Sequence, residues 1–302
     1  MRWALRGVIA LILVCVAAEL AARHYGFGRP LLYRPAQSGY EMVPDQHLER
    51  LGHTITVNRI GTRGPEVAAR PAADTHRIIV LGDSVAYGGA MMNDDQTFPA
   101  VAQRRLAEQG RRAEIVNVSA GGWSLFDEVR WLHQHGLLGA ETIVWTINHM
   151  DLDQGPNDSS QIGRNPAFPG HNPPFALWEV ATRYVVPRLG LGRSGADAGS
   201  GDGATVDPVW EARVQQQVRQ FVDQAARDHL RLMVLYHDGR EPLTPARQAA
   251  RDRLFAMLSQ AGVPVTVTQV DRKTMFQDNI HPNAAGAEAI GGQVATMLRS
   301  AT

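Results

Sequence analysis

The stretch Arg77-Ile78-Ile79-Val80-Leu81-Gly82-Asp83-Ser84 decides the fold that we predict for this chain. Its continuous apolar run is typical of a strand buried on both faces of a sheet, and a serine follows where the strand ends. Two similar runs, Ala113–Val118 and Glu141–Ile147, come after it, each preceded by a segment with helical periodicity. Strands that alternate with helices in this way indicate βαβ units, and therefore a parallel sheet with helices on both faces.

The same alternation returns near the carboxyl end, where Arg231–Tyr236 and Val263–Val270 are predicted to be strands. Helices are predicted around the strands at Phe98–Gln109, Leu125–His135, Val209–His229, Pro245–Ala261 and Ala284–Arg299. We therefore predict an α/β fold over residues 75–302. It is a three-layer α/β/α sandwich with a five-stranded, mostly parallel sheet.

Residues 153–204 interrupt this pattern, and we predict that they are an insertion into the same domain. They combine a Pro/Gly/Asn-rich stretch with one predicted helix, Phe175–Val186, and a run of low complexity, Gly190–Ala204. The last run has too few apolar residues to form a core, so we expect a mobile loop there.

The composition excludes several classes of protein. The 302 residues include 30 Lys+Arg and 30 Asp+Glu, so the formal net charge is zero. Domains that bind nucleic acid are usually strongly basic, so we expect no nucleic-acid partner. A single cysteine excludes a disulfide scaffold within the chain and any zinc or iron–sulfur site built from several cysteines.

The amino end has the pattern of an export signal or a membrane anchor. Arg2 and Arg6 precede the apolar run Gly7–Ala18, and basic residues at this end favour a cytoplasmic amino terminus. We expect residues 1–25 to be a single-pass anchor in the inner membrane, with the rest of the chain on the extracytoplasmic, periplasmic side. The alternatives are a signal that is cleaved after Leu20-Ala21-Ala22, which gives a secreted protein, and the buried first helix of a cytosolic protein.

Residues 26–74 follow the predicted anchor and are rich in Pro, Gly and Arg. Only His53–Val57 alternates apolar and polar residues as a strand does. We predict a linker and a capping segment here.

Polar residues that carry chemistry follow the predicted strands. Ser84 follows the first strand, Gly122 the second and Asn148 the third, while Asp278 and His281 stand near the carboxyl end. Strand ends meet at one edge of a parallel sheet, so these residues are candidates for one site. A serine nucleophile needs a base and the base needs an acid, while glycine N–H groups and an asparagine amide can hold an oxyanion. Each residue alone also fits an ordinary turn or helix cap.

Taken in order, these blocks resemble the SGNH (GDSL-like) hydrolases. Gly82-Asp83-Ser84 is similar to the first block of that family, Gly122 within Asn117–Ser124 to the second, Asn148 to the third, and Asp278-x-x-His281 to the last. The resemblance implies that the sheet is flavodoxin-like and that the protein is an esterase, which forms an acyl-enzyme and needs no metal or organic cofactor. Its implied site has Ser84 as nucleophile, His281 as base, Asp278 as the acid that orients the base, and an oxyanion hole made by the N–H groups of Ser84 and Gly122 and the side chain of Asn148.

The chain departs from the family pattern in the third block. That block usually reads Gly-x-Asn-Asp, and here it is Thr146-Ile147-Asn148-His149. Asp83 and His149 are candidates for lining the site, and a structural or solvent-facing role is the favoured alternative for His149. Ser119, in Asn117-x-Ser119-x-Gly121, is the second candidate for the nucleophile.

The predicted function is hydrolysis of an ester, with a lipid, an acylated glycan or a small ester as substrate. Ala18–Arg23 and Val57–Gly64 look like pieces of membrane-anchored bacterial members of the family. That subgroup includes O-acetyltransferases acting on cell-surface polysaccharide, which is the first alternative. A non-catalytic glycan-binding protein on the same fold is the second.

Overall fold

The structure is a computed structural model that describes residues 2–189 and 205–300. The strands in the described ranges are β1 (Tyr33–Ala36), β2 (Gly39–Met42), β3 (Gln46–Arg50), β4 (His53–Val57), β5 (His76–Gly82), β6 (Ala113–Ser119), β7 (Thr142–Asn148), β8 (Arg231–His237) and β9 (Val265–Val267). The helices are α1 (Arg2–His24), α2 (Ser84–Tyr87), α3 (Phe98–Glu108), α4 (Leu125–His135), α5 (Ala176–Val180), α6 (Val186–Arg188), α7 (Pro208–Arg227), α8 (Pro245–Gln260) and α9 (Ala284–Ser300). The loop predicted at 190–204 lies outside the described residues.

The central sheet has the strand order β6-β5-β7-β8-β9, and every neighbouring pair is parallel. Numbered along the chain this is the order 2-1-3-4-5, so the prediction of a flavodoxin-like sheet is confirmed. The last strand is shorter than predicted. Beyond Thr268 the backbone of Gln269 exchanges hydrogen bonds with the side chain of Gln293 in α9 instead of pairing with β8.

Helices cover both faces of this sheet because successive side chains of its strands point to opposite faces. Ile79 and Leu81 of β5 belong to a core shared with α4, α7 and α8. Ile78 and Val80 belong to a second core, shared with α3 and α9. The predicted three-layer sandwich is therefore present, and β5 belongs to its middle layer.

Residues 26–74 contain more regular structure than predicted. Two antiparallel hairpins, β1–β2 and β3–β4, stand where only the strand at His53–Val57 was expected. The missed strands are four or five residues long, and their sequences alternate apolar and polar residues less clearly than His53–Val57 does. Tyr40 and Met42 of β2 are fully buried in the larger core, so this segment packs as part of the domain.

The amino-terminal helix α1 differs from the rest of the fold because its side chains are exposed from Arg2 to Ala18. It is longer than the predicted apolar run and measures about 35 Å at the usual rise of an α-helix. Among the described residues, it is the one helix long and apolar enough to cross a membrane.

A buried arginine joins the hairpins to the sheet. Arg63 donates hydrogen bonds of 2.6 Å to the carbonyl oxygens of Tyr87, Gly89 and Met92, and its Nε lies 2.9 Å from Asp94 Oδ1. The guanidinium thus satisfies the last carbonyl group of α2 and two carbonyl groups of the loop that follows it. Helix α2 begins at the candidate nucleophile, Ser84.

We expect Arg63→Ala to lower the free energy of unfolding by about 3 kcal/mol or more, because three carbonyl groups and one carboxylate lose their donor together. Urea denaturation in detergent solution would measure it. Arg59→Ala is the control, since Arg59 is exposed and its ion pair is with the exposed Glu66, and its unfolding midpoint should match that of the wild type. Equal midpoints for all three proteins would contradict this role of Arg63.

Candidate active site

The candidate nucleophile lies at the turn between β5 and α2. Asp83 caps the helix, because its Oδ1 accepts a hydrogen bond of 2.9 Å from the backbone N–H of Val85. Asp83 is therefore the N-cap residue of α2, and Ser84 is the first residue of the helix. A side chain at Gly82 would put its Cβ 2.9 Å from Cβ of Thr146, so glycine lets β7 and the turn approach closely.

Asn148 is joined directly to this turn. Its Nδ2 donates a hydrogen bond of 3.0 Å to Asp83 Oδ2, and the hydroxyl of Ser84 donates to the same oxygen at 3.4 Å. The turn after β5 and the end of β7 are therefore joined through the carboxyl group of Asp83. Burial raises the pKa of Asp83, and the hydrogen bonds from Val85, Asn148 and Ser84 act against that rise.

The acid missing from the third block is supplied three positions after Asn148. The backbone N–H of Asn148 donates to Asp151 Oδ2 at 2.8 Å, and its side-chain oxygen accepts from the N–H of Met150 at 2.8 Å. Asp151 is fully buried. The turn that carries Asn148 is thus held by the carboxyl group of Asp151, although His149 directly follows Asn148. Burial raises the pKa of Asp151 well above its usual value.

His149 lies beside the site without a hydrogen bond to Ser84. Burial, with a smaller contribution from Arg247, lowers the pKa of its imidazole to about 4. A Cβ built on Gly239 would be 2.7 Å from Cε1 of His149 and 2.9 Å from the carbonyl oxygen of Asn279. His149 is therefore a neutral ring that packs near the loop carrying Asp278 and His281.

Asp278 and His281 form a hydrogen-bonded pair in one tight turn. Asp278 Oδ2 lies 2.7 Å from Nδ1 of His281, and its other oxygen accepts from the N–H groups of Ile280 and His281. Burial raises the pKa of Asp278, but the hydrogen bond and the charge of His281 outweigh it and lower the pKa to about 2. For His281, burial lowers the pKa, while the hydrogen bond and charge of Asp278 and the charge of Asp83 raise it above its usual value.

The structure brings Ser84, Asp278 and His281 to one edge of the sheet. The hydrogen bond between Asp278 and His281 is present, but the one between His281 and Ser84 is not formed. His281 and Asp83 are near enough to influence each other's pKa. Within the described residues no hydrogen bond joins the hydroxyl of Ser84 to His281, since that hydroxyl donates to Asp83. Contacts of this kind often tighten only when substrate is bound.

The glycine turn after β6 is held by the hairpin segment. The hydroxyl of Tyr40 donates a hydrogen bond of 2.8 Å to the carbonyl oxygen of Gly121. In a trans peptide the C=O and N–H groups point in opposite directions, so this bond also fixes the direction of the N–H of Gly122. No backbone acceptor within the described ranges takes the N–H of Gly122 or that of Ser84.

The backbone conformation of Gly122 and its close neighbours disfavour any other residue at this position. Its φ is +76°, and a Cβ there would lie 2.8 Å from Oη of Tyr40 and 3.0 Å from Cζ of Phe168. Its carbonyl oxygen accepts hydrogen bonds from Asn157 at 2.7 Å and from Gln154 at 3.1 Å. Both peptides flanking Gly122 are therefore fixed.

Ser119, the second candidate for the nucleophile, uses its hydroxyl in a buried hydrogen bond. Its hydroxyl is buried and donates a hydrogen bond of 2.6 Å to Oδ1 of Asn117. Asn117 in turn donates to the carbonyl oxygen of Ala86. These contacts give Ser119 a role within the core and leave Ser84 as the candidate.

A buried histidine that the sequence analysis missed supports the carboxyl-terminal loop. Nε2 of His237 lies 2.9 Å from the carbonyl oxygen of Ile280, and Nδ1 lies 2.9 Å from the hydroxyl of Thr268. Burial lowers the pKa of His237 to about 4, so the ring is neutral and its single proton must face the carbonyl. The ring also stacks on Phe276. The one sequence signal for His237 is its place at the end of a buried strand.

Comparison with known proteins gives similar solved structures. No protein-family model and no curated protein matches the chain. The structure of TesA has a TM-score of 0.45 and 18% identity, covering 75% of this chain and 100% of the other. The structure of the lipase/acylhydrolase from Enterococcus faecalis has a TM-score of 0.46 and 12% identity, and the match covers 75% of this chain and 96% of the other. The structure of the psychrotrophic esterase EstA from Pseudoalteromonas sp. has a TM-score of 0.45 and 9% identity, and the match covers 74% of this chain and 97% of the other.

The charges of the site predict distinct titrations for its histidines. The imidazole of His281 should titrate above the ordinary value of about 6.5, and those of His149 and His237 should stay neutral down to about pH 4. Nuclear magnetic resonance of ring-labelled histidine would measure all three. Asp278→Asn should lower the pKa of His281, because it removes the carboxylate that favours the imidazolium.

Asp271→Asn is the matched control for this titration. Asp271 also accepts hydrogen bonds within a local turn, from Lys273 and Thr274, but it has no bond to a histidine. A pKa of His281 that is unchanged in Asp278→Asn would contradict the pairing described above.

Proposed function

We propose that the chain is a serine esterase of the SGNH (GDSL-like) type. The observation that carries the proposal is the hydrogen-bonded pair of Asp278 and His281 at the edge of the sheet where Ser84 begins α2. Acyl transfer needs a nucleophile, a base and an acid that orients the base, and we assign these roles to Ser84, His281 and Asp278.

In the proposed reaction His281 acts through Nε2. Its Nδ1–H is donated to Asp278, which leaves Nε2 free of a proton and able to accept one. The hydroxyl of Ser84 leaves Asp83, gives its proton to His281, and its oxygen attacks the carbonyl carbon of the ester. The imidazolium then protonates the leaving alcohol, and an acyl-enzyme remains on Ser84.

Water completes the cycle by the same steps. His281 takes a proton from water as the water oxygen attacks the acyl carbon, and the proton returns to Ser84 when the carboxylic acid leaves. Asp278 stays ionised throughout, consistent with its low pKa. It fixes the tautomer of His281 and stabilises the imidazolium.

The oxyanion formed in each step needs hydrogen-bond donors. We assign this role to the N–H groups of Ser84 and Gly122 and to the second hydrogen of the Asn148 amide, whose first hydrogen is held by Asp83. Tyr40 is a positioning residue in this scheme, because it fixes the peptide that bears the N–H of Gly122.

We also propose that α1 is a membrane anchor with the catalytic domain on the extracytoplasmic side. The apolar length of α1 and the exposure of its side chains support an anchor. Arg2 and Arg6 at its start support a cytoplasmic amino terminus.

Substitution of the nucleophile tests the proposed chemistry. Ser84→Ala should lower the hydrolysis of p-nitrophenyl acetate and butyrate by roughly 1,000-fold or more and abolish labelling by a fluorophosphonate, because both need the serine oxygen. Ser119→Ala is the control and should retain both. Loss of labelling in Ser119→Ala but not in Ser84→Ala would contradict the assignment. Labelling of Ser84 with negligible hydrolysis would instead indicate acyl transfer to a hydroxyl acceptor.

The hydroxyl of Tyr40 provides a test of the oxyanion hole. Tyr40→Phe should reduce kcat about tenfold to a hundredfold with little change in KM, because a misaligned donor weakens transition-state binding more than substrate binding. Tyr33→Phe is the control: Tyr33 packs against the same aromatic rings, and its hydroxyl makes no hydrogen bond to Gly121. Equal effects of the two substitutions on kcat would mean that the Tyr40 hydrogen bond does not position the donor.

A further inference from the structure

Exposed hydrophobic side chains are concentrated where α1 meets the domain. Apart from α1 itself, the described residues expose seven large hydrophobic side chains. Five of them lie just after α1 or within residues 175–189, namely Tyr25, Phe175, Trp178, Val185 and Leu189. Single exposed hydrophobic residues are common on protein surfaces, but a concentration of them marks an interaction surface.

The segment 175–189 is attached directly to α1. The carboxylate of Glu19 accepts hydrogen bonds from the N–H groups of Ala176 at 2.8 Å and Leu177 at 2.9 Å, and it pairs with Arg23 at 2.7 Å. Glu19 therefore interrupts the apolar run of α1 for a structural reason, because it caps the first turn of α5.

The same segment is fixed to the catalytic domain. Glu179 of α5 and Arg50 of β3 form a buried ion pair of 2.6 Å, and the second oxygen of Glu179 accepts from the N–H of Gly28. Phe175, which directly precedes α5, and Trp178 within α5 are each 60% accessible. These exposed aromatic side chains thus belong to a segment that buried polar contacts hold in place.

The length of α1 places this segment near the surface of a bilayer. Trp3 and Arg23 are 20 residues apart. That is about 30 Å along a helix, the thickness of the hydrocarbon core. If α1 spans the core between these residues, Glu19 lies within about one helical turn of the interface. The N–H groups of Ala176 and Leu177, bonded to Glu19, lie at the same depth.

We propose that residues 175–189 form a second membrane contact that lies in the interfacial region of the bilayer beside α1. Tryptophan is favoured there because its ring is apolar and its N–H can reach water and headgroups. Phe175, Val185 and Leu189 add apolar area, and the exposed Arg188 can reach lipid phosphates. This inference rests on the proposed anchor. A single helix would leave the domain free to rotate, and a second contact holds it in one orientation to the membrane.

Site-specific labelling of the full chain tests the proposal, and the chain has a single cysteine, Cys15, within α1. We would compare an environment-sensitive nitrobenzoxadiazole label at Cys15 with labels at Trp178→Cys and Val209→Cys, the last two in a Cys15→Ser background. Val209 is the matched control, since it is a hydrophobic residue with 59% exposure and lies outside the segment. The proteins would be reconstituted in vesicles of phosphatidylethanolamine and phosphatidylglycerol that contain doxyl-labelled lipid.

The expected result is blue-shifted emission and quenching by doxyl lipid at positions 15 and 178, with emission typical of water at 209. A label at 178 that behaves like the one at 209, while the label at 15 is quenched, would overturn the second contact and leave the anchor intact. Labels in water at all three positions would overturn the anchor as well. Shielding at 178 that disappears when the protein is diluted to one copy per vesicle would show a second copy of the chain as the occupant, and would overturn the lipid contact.

Discussion

The carboxylate of Asp83 is the contact on which the rest of the site depends. One oxygen caps α2 and so fixes where the helix begins, and the other accepts from Asn148 and Ser84. A buried carboxylate is costly unless it is hydrogen-bonded, so the site is stable only when these donors are in place. Through this single group β5, α2 and β7 are joined at the carboxyl edge of the sheet, and its charge also acts on His281.

The hairpin segment before the sheet completes the site instead of merely linking it to α1. Tyr40 is joined to the glycine turn in both directions: its hydroxyl donates to Gly121, and its carbonyl oxygen accepts from the indole of Trp123 at 2.8 Å. Arg63 fixes the loop after α2. The segment that follows the amino-terminal helix therefore shapes the proposed oxyanion hole.

The sequence was most informative where a local rule decides the structure. The parallel sheet follows from apolar runs of the right length, and the candidate residues follow strand ends, which meet at one edge whatever the side chains are. The supporting groups could not be found in this way. Tyr40 bonds to a residue 81 positions away and His237 to one 43 positions away, and the short strands β1 to β3 are set by packing. The role of Glu19 could not be predicted either, because its partners, at 176 and 177, are distant in sequence.

A crystal structure of the protein after reaction with a phosphonate ester tests the central claim most directly, because the bound phosphorus mimics the tetrahedral intermediate. The account predicts a bond from phosphorus to Oγ of Ser84. It also predicts that the phosphoryl oxygen lies within about 3 Å of the N–H groups of Ser84 and Gly122 and of Nδ2 of Asn148, with His281 facing the other side of the phosphorus. A phosphoryl oxygen directed away from these three donors, or phosphorus attached to another residue, would contradict it.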